Sequence, residues 1–388
     1  MRAYQVVEAL ACSHDVHVLV VDQEVLSPTA SACALSSASN IAFSKIPWFT
    51  NPWILARQAL RHVLPGLHRR TFERPAEWIY TTRGRLARLS ELFPQVRFEV
   101  VHIFRLYTYP FHAAFAHTEA PLRVQLDLDD LESETRRSLS AIHAASGRRK
   151  QADALLAEAE RYERVEREVL PSIDRVFTAS EEDRTTVVNR YEHADVRVLP
   201  NVLESRPLRA ECPARDDCFT FLFVGGLHYF PNQDALIHLC DDVLPTLAQR
   251  ARRPFRVVVV GARPPRSLTR RLGRTKHVEF TGWVPDVAPY YAAAHAALAP
   301  LRCGGGTRIK ILEAFTYGVP VVSTRTGAAG IAAEHDLHCL LATNAEQFVD
   351  YCLRLMDDED LGSRIACAAR ALVQERYAPS SLREVLQG

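Results

Sequence analysis

From residue 298 the chain reads Leu298-Ala-Pro-Leu-Arg-Cys-Gly-Gly-Gly-Thr-Arg-Ile-Lys-Ile-Leu-Glu-Ala-Phe-Thr-Tyr-Gly-Val-Pro-Val-Val-Ser323. The pattern is strand, glycine loop, helix, turn, strand. A short apolar run ends at Leu301, and Gly304, Gly305 and Gly306 allow a tight turn. The spacing predicts a helix opening near Thr307, with Arg308, Lys310 and Glu313 in its first two turns. Gly318 closes that helix and Pro320 forbids its continuation. Unpaired backbone N–H groups at a helix start, beside two cationic side chains, suit a phosphate or pyrophosphate. Loop and helix alone leave open an ordinary βαβ crossover with surface charges, because glycine loops are common.

Outward from this stretch the alternation is regular. Phe219–Val224, Phe255–Val260, His277–Phe280, Ala296–Leu301, Val319–Ser323 and Cys339–Leu341 read as strands. Helices are expected over Asn232–Arg250 and around Pro285–Ala293, and again toward the C-terminus. Strands alternating with helices at this spacing imply a parallel, doubly wound sheet. Glycine turns follow several of these strands, at Val224-Gly-Gly-Leu-His-Tyr-Phe-Pro-Asn232, Val260-Gly261 and Thr281-Gly-Trp-Val-Pro-Asp-Val287. With the Gly304–Gly306 loop they fall on one edge of one sheet, where a nucleotide is expected.

The first half is less regular. Arg2–Ala11 has helical spacing and Val16–Val21 is a buried-type strand, so the chain starts inside a helix without a cap. Residues 22–50 read as loop, and 52–64 and 83–93 as helices. Strands are expected at Glu99–Phe104, Leu122–Leu126, Arg175–Thr178 and Val196–Leu199. A charged helix is expected over Arg149–Leu170 and another after Ser180. The segment from Pro200 to Asp217, rich in Pro, Arg and Glu, reads as a linker. The expected division is 1–202, a linker at 203–217, a second domain at 218–370, and a C-terminal helix at 371–388 that packs back on the first.

A chain of 388 residues suits two domains. A net charge of +1 gives no reason to expect nucleic acid as partner. Nine cysteines, with no C-x-x-C pair and no metal spacing, read as small buried residues in a reducing compartment. No apolar run reaches the ~18–20 residues of a membrane span, so a cytoplasmic protein is expected. Peripheral attachment to the inner face of a membrane stays open, as does the oligomeric state.

Phe223-Val-Gly-Gly-Leu-His-Tyr-Phe-Pro-Asn232, Thr281-Gly-Trp-Val-Pro-Asp286 and Pro300 through Thr324 together resemble the donor-binding domain of GT-B-fold glycosyltransferases of the group 1 type (family 4). The resemblance spans Phe219 to Leu341. It is weaker in the first half, through Arg2–Val21, Leu126–Ser133 and Glu163–Ser180. It implies two doubly wound, Rossmann-like domains facing across a cleft, which closes to exclude water. It further implies retaining transfer from a nucleoside diphosphate sugar to a hydroxyl acceptor, with no essential metal and no cofactor. Glu313 would bind the ribose hydroxyls and Gly304, Gly305, Gly306 and Thr307 the pyrophosphate. Trp283 and Val284 would flank the base, and Gly225 and Gly226 would let the backbone approach the diphosphate.

The chain departs from that pattern at Gly305, where many relatives carry a first glutamate, and at Gly226 and the Pro231-Asn232 region, where a basic pair is usual. Leaving-group charge must still be neutralised, and that role falls to Arg308 and Lys310; the bland alternative makes both solvated helix residues. In the first half His102 is a candidate for touching donor sugar or acceptor, or else a strand residue facing away. Arg105 and Tyr109 follow the same strand as acceptor-side candidates. Asp127-Leu-Asp129 is read as capping the next helix, with acceptor contact open; a D-x-D metal site of the other glycosyltransferase fold is the competing reading. Relatives carry a strand and a glycine-rich loop ahead of the segment matching Arg2–Leu10, and neither is present here. A start placed too late explains this, and so does an inactive or accessory relative acting as a binding partner. An epimerase on the same fold would need cleft carboxylates that have no candidates.

Overall fold

The computed structural model describes residues 2–22, 37–45, 78, 81–116, 121–204, 206, 218–262, 264–272 and 275–387. The helix expected at 52–64 and most of the linker at 203–217 lie outside the described residues. The chain divides into two compact units, residues 1–200 with 382–388, and residues 201–381.

The second unit is a six-stranded parallel sheet. Its strands are β7 (Phe219–Val224), β8 (Phe255–Val260), β9 (Val278–Gly282), β10 (Ala296–Ala299), β11 (Val321–Thr324) and β12 (Leu340–Ala342), in the order β12-β11-β10-β7-β8-β9. Every pairing is parallel, so both faces must be covered. Alternation along β7 does this: Phe219, Phe221 and Phe223 point to one face and Leu222 to the other, all buried. On the phenylalanine side pack α6 (Phe230–His238), a π turn (Leu239–Val243), α7 (Leu244–Arg250), α8 (Arg266–Leu272) and α11 (Ala345–Asp357). On the other side pack α9 (Ala288–Ala293), α10 (Ile309–Thr316) and the end of α12 (Glu359–Arg376). Burying one such phenylalanine contributes about 1.5–3 kcal/mol. The expected Asn232–Arg250 helix starts earlier, at Phe230, because Pro231 suits a first helical turn.

The first unit holds a four-stranded parallel sheet, β3 (Val100–Phe104), β4 (Arg123–Asp127), β5 (Arg175–Thr178) and β6 (Val196–Val198), in chain order. A separate parallel pair joins β1 (His17–Asp22) to β2 (Asn40–Lys45). β2 corrects the reading of 22–50 as loop: residues of modest strand preference extend because β1 supplies their ladder partners. The helices are α1 (Arg2–Ala11), α2 (Arg83–Ser90), α3 (Glu132–Ala145), α4 (Arg149–Val169), α5 (Glu181–Tyr191) and α13 (Pro379–Gln387), which runs from the second unit into the first.

Candidate functional site

The second sheet reverses its order at β7. Chain order continues through β8 and β9 on one side and through β10 to β12 on the other. Ligands of open parallel sheets bind at this point, beyond the strand C-termini. The loops leaving β7 and β10 are the two glycine-rich ones.

The glycines are required by close approach. A Cβ at Gly225 would lie 2.7 Å from Asn232 Nδ2 and 3.0 Å from Lys310 Nζ, and one at Gly261 would meet the Gly225 carbonyl at 2.1 Å. In the loop after β10, Gly304 has φ +119° and Gly306 φ +64°, backbone that L side chains avoid. The Arg308 guanidinium folds back on this loop, bonding the Gly305 carbonyl and lying against Gly304. Arg308 is only 8% exposed, which is not the state of a solvated helix residue. Thr307 accepts the Ile309 N–H through its carbonyl at 3.0 Å.

Lys310, on the first turn of α10, donates to Asn232 Oδ1 at 2.5 Å, and its ammonium lies 4.7 Å from the centre of the Phe223 ring. Asn232 Nδ2 donates in turn to the Gly226 carbonyl at 2.9 Å. Burial, reinforced by the Arg308 charge and opposed by Glu313, pulls the Lys310 ammonium down to about 7. One turn further, Glu313 Oε2 accepts from the Tyr291 hydroxyl at 3.1 Å, and the Tyr291 ring stacks on Tyr317 with centroids 4.6 Å apart. Burial raises the Glu313 carboxyl, against the pull of the Tyr291 bond and of the Arg206 and Lys310 charges. Trp283 stands 73% exposed after β9, while Val284 packs against the α10 side of the core.

Gly225, Gly226, Gly304 to Thr307, Arg308, Lys310 and Glu313 thus belong to two loops and one helix at the switch point. Four residues given no role from sequence hold them: Asn232, Tyr291, and the pair Asp234–Arg302, bonded through both carboxylate oxygens at 2.8 and 3.0 Å. Burial in the structure marks two of these, Asn232 and Asp234, as polar residues of α6 that need partners.

The acceptor-side candidates form a separate cluster in the first unit. Arg2 Nε and Nη2 donate to the two oxygens of buried Asp127 at 2.9 and 2.8 Å. Arg105 Nη2 donates to Asp129 Oδ2 at 2.6 Å, with Asp130 and Glu132 each 3.7 Å away. Arg105 and Asp129 both have left-handed backbones, φ 70° and 57°. The capping role expected for Asp127 and Asp129 does not hold. Their carboxylates are committed to arginines and to the Asp129 N–H, and α3 has Leu131 at its N-cap with no side-chain cap. Among the described residues no group of three or more His, Cys, Asp or Glu is placed to hold a metal ion. His102 lies within β3, its Nδ1 3.4 Å from Gln125 Oε1 and its ring 5.5 Å from that of Phe177. Burial lowers its pKa, with Asp127 opposing. Tyr109 is apart from this cluster, its hydroxyl 3.3 Å from Ser172 Oγ.

Comparison with known proteins places this architecture. The whole chain superposes on sucrose-phosphate synthase from Thermosynechococcus elongatus with a TM-score of 0.68 at 15% identity, covering 100% of this chain and 91% of that one. It superposes on Anabaena HepE, solved in complex with UDP and glucose, with a TM-score of 0.60 at 12% identity, covering 99% and 94%. The fold is therefore the GT-B type of the glycosyltransferases. Residues 218–358 match the family model for glycosyl transferases group 1, and the second unit carries a domain of that family. A curated relative, the GDP-mannose-dependent alpha-(1-6)-phosphatidylinositol monomannoside mannosyltransferase of Mycobacterium tuberculosis (strain CDC 1551 / Oshkosh), is 28% identical over 160 residues. That match spans 38% of this chain and 40% of the relative. Among the described residues no helix is long and apolar enough to cross a membrane.

Proposed function

We propose that this protein transfers a sugar from a nucleoside diphosphate sugar to an acceptor hydroxyl, with retention at the anomeric carbon and without a metal or other cofactor. The observation that carries this reading is the meeting of the Gly304–Gly306 loop, Lys310 and Glu313 at the switch point of the second sheet. Glu313 accepts the ribose hydroxyls, and the glycine loop faces the diphosphate. Lys310 and Arg308 supply the positive charge that another enzyme would take from a magnesium ion. Trp283, exposed after β9, offers a flat surface to the base. Solved neighbours binding UDP, and a curated relative that uses GDP-mannose, support a nucleoside diphosphate as ligand. In the first unit Arg105 and Asp129 are the groups we assign to the acceptor side, and His102 remains our candidate for contact with the transferred sugar. Catalysis is positioning and charge stabilisation, the donor phosphate oxygen taking the acceptor proton.

Nucleotide release from UDP-, GDP- and dTDP-sugars, measured with and without chelator and with the product anomer read by NMR, tests the proposal. Turnover of one donor, insensitive to chelator and lost in Lys310→Ala, is expected. Gly305, standing where relatives carry a glutamate, favours a second reading as a binding-only relative. Tight nucleotide binding with no turnover of any donor would select it.

A further inference from the structure

The loop that follows β10 carries three consecutive glycines, two of them at positive φ, which L side chains disfavour. Such a loop samples many shapes unless something holds it. Arg302, two residues ahead of Gly304, reaches back across the switch point to Asp234 on α6. Its Nε and Nη2 meet the two carboxylate oxygens at 3.0 and 2.8 Å, the geometry of a planar fork on a carboxylate. Asp234 is 2% exposed, and a carboxylate so deeply placed depends on its partner. The same helix end carries Asn232, which holds both Lys310 and the Gly226 carbonyl. One stretch, Asn232–Asp234, therefore contacts the turn after β7, the loop after β10 and the helix that follows it.

We propose that the Asp234–Arg302 pair is a clasp that fixes the glycine loop in the shape a nucleoside diphosphate meets, making Asp234 a positioning residue of the donor site. This rests on the donor-site reading above. With the clasp opened the loop keeps the Arg308 bond to the Gly305 carbonyl but loses its tie to α6, so the ligand must supply that part of its order and the loss appears in diphosphate affinity. Because the two residues act as one device, removing either removes all of it.

Titration calorimetry with UDP, GDP and dTDP on wild type, Asp234→Asn, Arg302→Gln and the double variant tests this. Kd is expected to rise about tenfold in each single variant and no further in the double one. Unchanged Kd in the single variants, or losses that add in the double variant, would overturn the clasp while leaving the donor site standing. If wild type binds none of the three, the donor-site reading fails and the clasp falls with it. A thermal melt of each free variant accompanies the titrations. Should Asp234→Asn not fold, Arg302→Gln opens the clasp from its more exposed side and decides alone: an unchanged Kd refutes the proposal and a tenfold rise upholds it.

Discussion

At Lys310 the protein holds an ammonium that burial and Arg308 bring down to about 7 from its ordinary 10.5. Two slopes of opposite sign follow. Between about 7 and 10.5 the unfolded chain binds more protons than the folded one, so unliganded stability is expected to rise with pH across that window. On the proposed reading a bound diphosphate is expected to restore the ammonium, so that binding takes up a proton. Affinity is then strongest below about 7 and falls by up to about tenfold per pH unit above it. Titrations between pH 6 and pH 9, with Lys310→Met as the control that loses both slopes, check this. Tyr291→Phe removes the hydroxyl that orients Glu313; a loss of about 1 kcal/mol in nucleotide affinity is expected, against a larger loss in Glu313→Ala. Glu313, Lys310 and the glycines were legible in the sequence, because loop, spacing and helix period all lie within twelve residues. Asp234, Arg302 and Tyr291 were not, because their partners stand 19 to 68 positions away and only packing brings them together; Asn232 bonds Gly226 six positions back but meets Lys310 78 positions on.

Among the elements, the two glycine turns after β7 and β8 differ in what an added Cβ would meet. Gly261→Ala drives a Cβ into the Gly225 carbonyl at 2.1 Å, backbone against backbone. A destabilisation of about 1–3 kcal/mol, read by denaturant unfolding, is expected. Gly225→Ala places its Cβ 2.7 and 2.9 Å from Asn232 Nδ2 and Cγ and 3.0 Å from Lys310 Nζ, so the buried Asn232 side chain must shift. It is expected to cost less stability than Gly261→Ala, because a side chain and not a backbone carbonyl must move, and to weaken nucleotide binding. The strands of the second sheet were readable because buried parallel strands are short apolar runs bounded by glycine and proline. α8 was not, since Arg266-Ser-Leu-Thr-Arg-Arg-Leu272 has only two apolar positions to show a period. The acidic segment after β4 was read as a cap because Asp precedes a helix. The arginines that claim its carboxylates come from Arg2, far along the chain, and from Arg105.

For the molecule as a whole, the fold and the domain family agree with what the glycine-loop helix implied, and the activity is the proposal built on them. The second unit's sheet is stabilised from both faces, and Phe315, fully buried on the α10 side, links its core to the site helix. Phe315→Ala is expected to cost about 3–5 kcal/mol in unfolding free energy, enough to consume much of a domain's margin. The most direct test of the central claim, a nucleoside diphosphate site at Gly304–Glu313, is equilibrium binding of UDP, GDP and dTDP to wild type and Glu313→Ala at pH 6.5. Saturable binding of at least one nucleotide, weakened tenfold or more by the substitution, is the expected result. No binding of any of the three, or equal binding by wild type and Glu313→Ala, would contradict it.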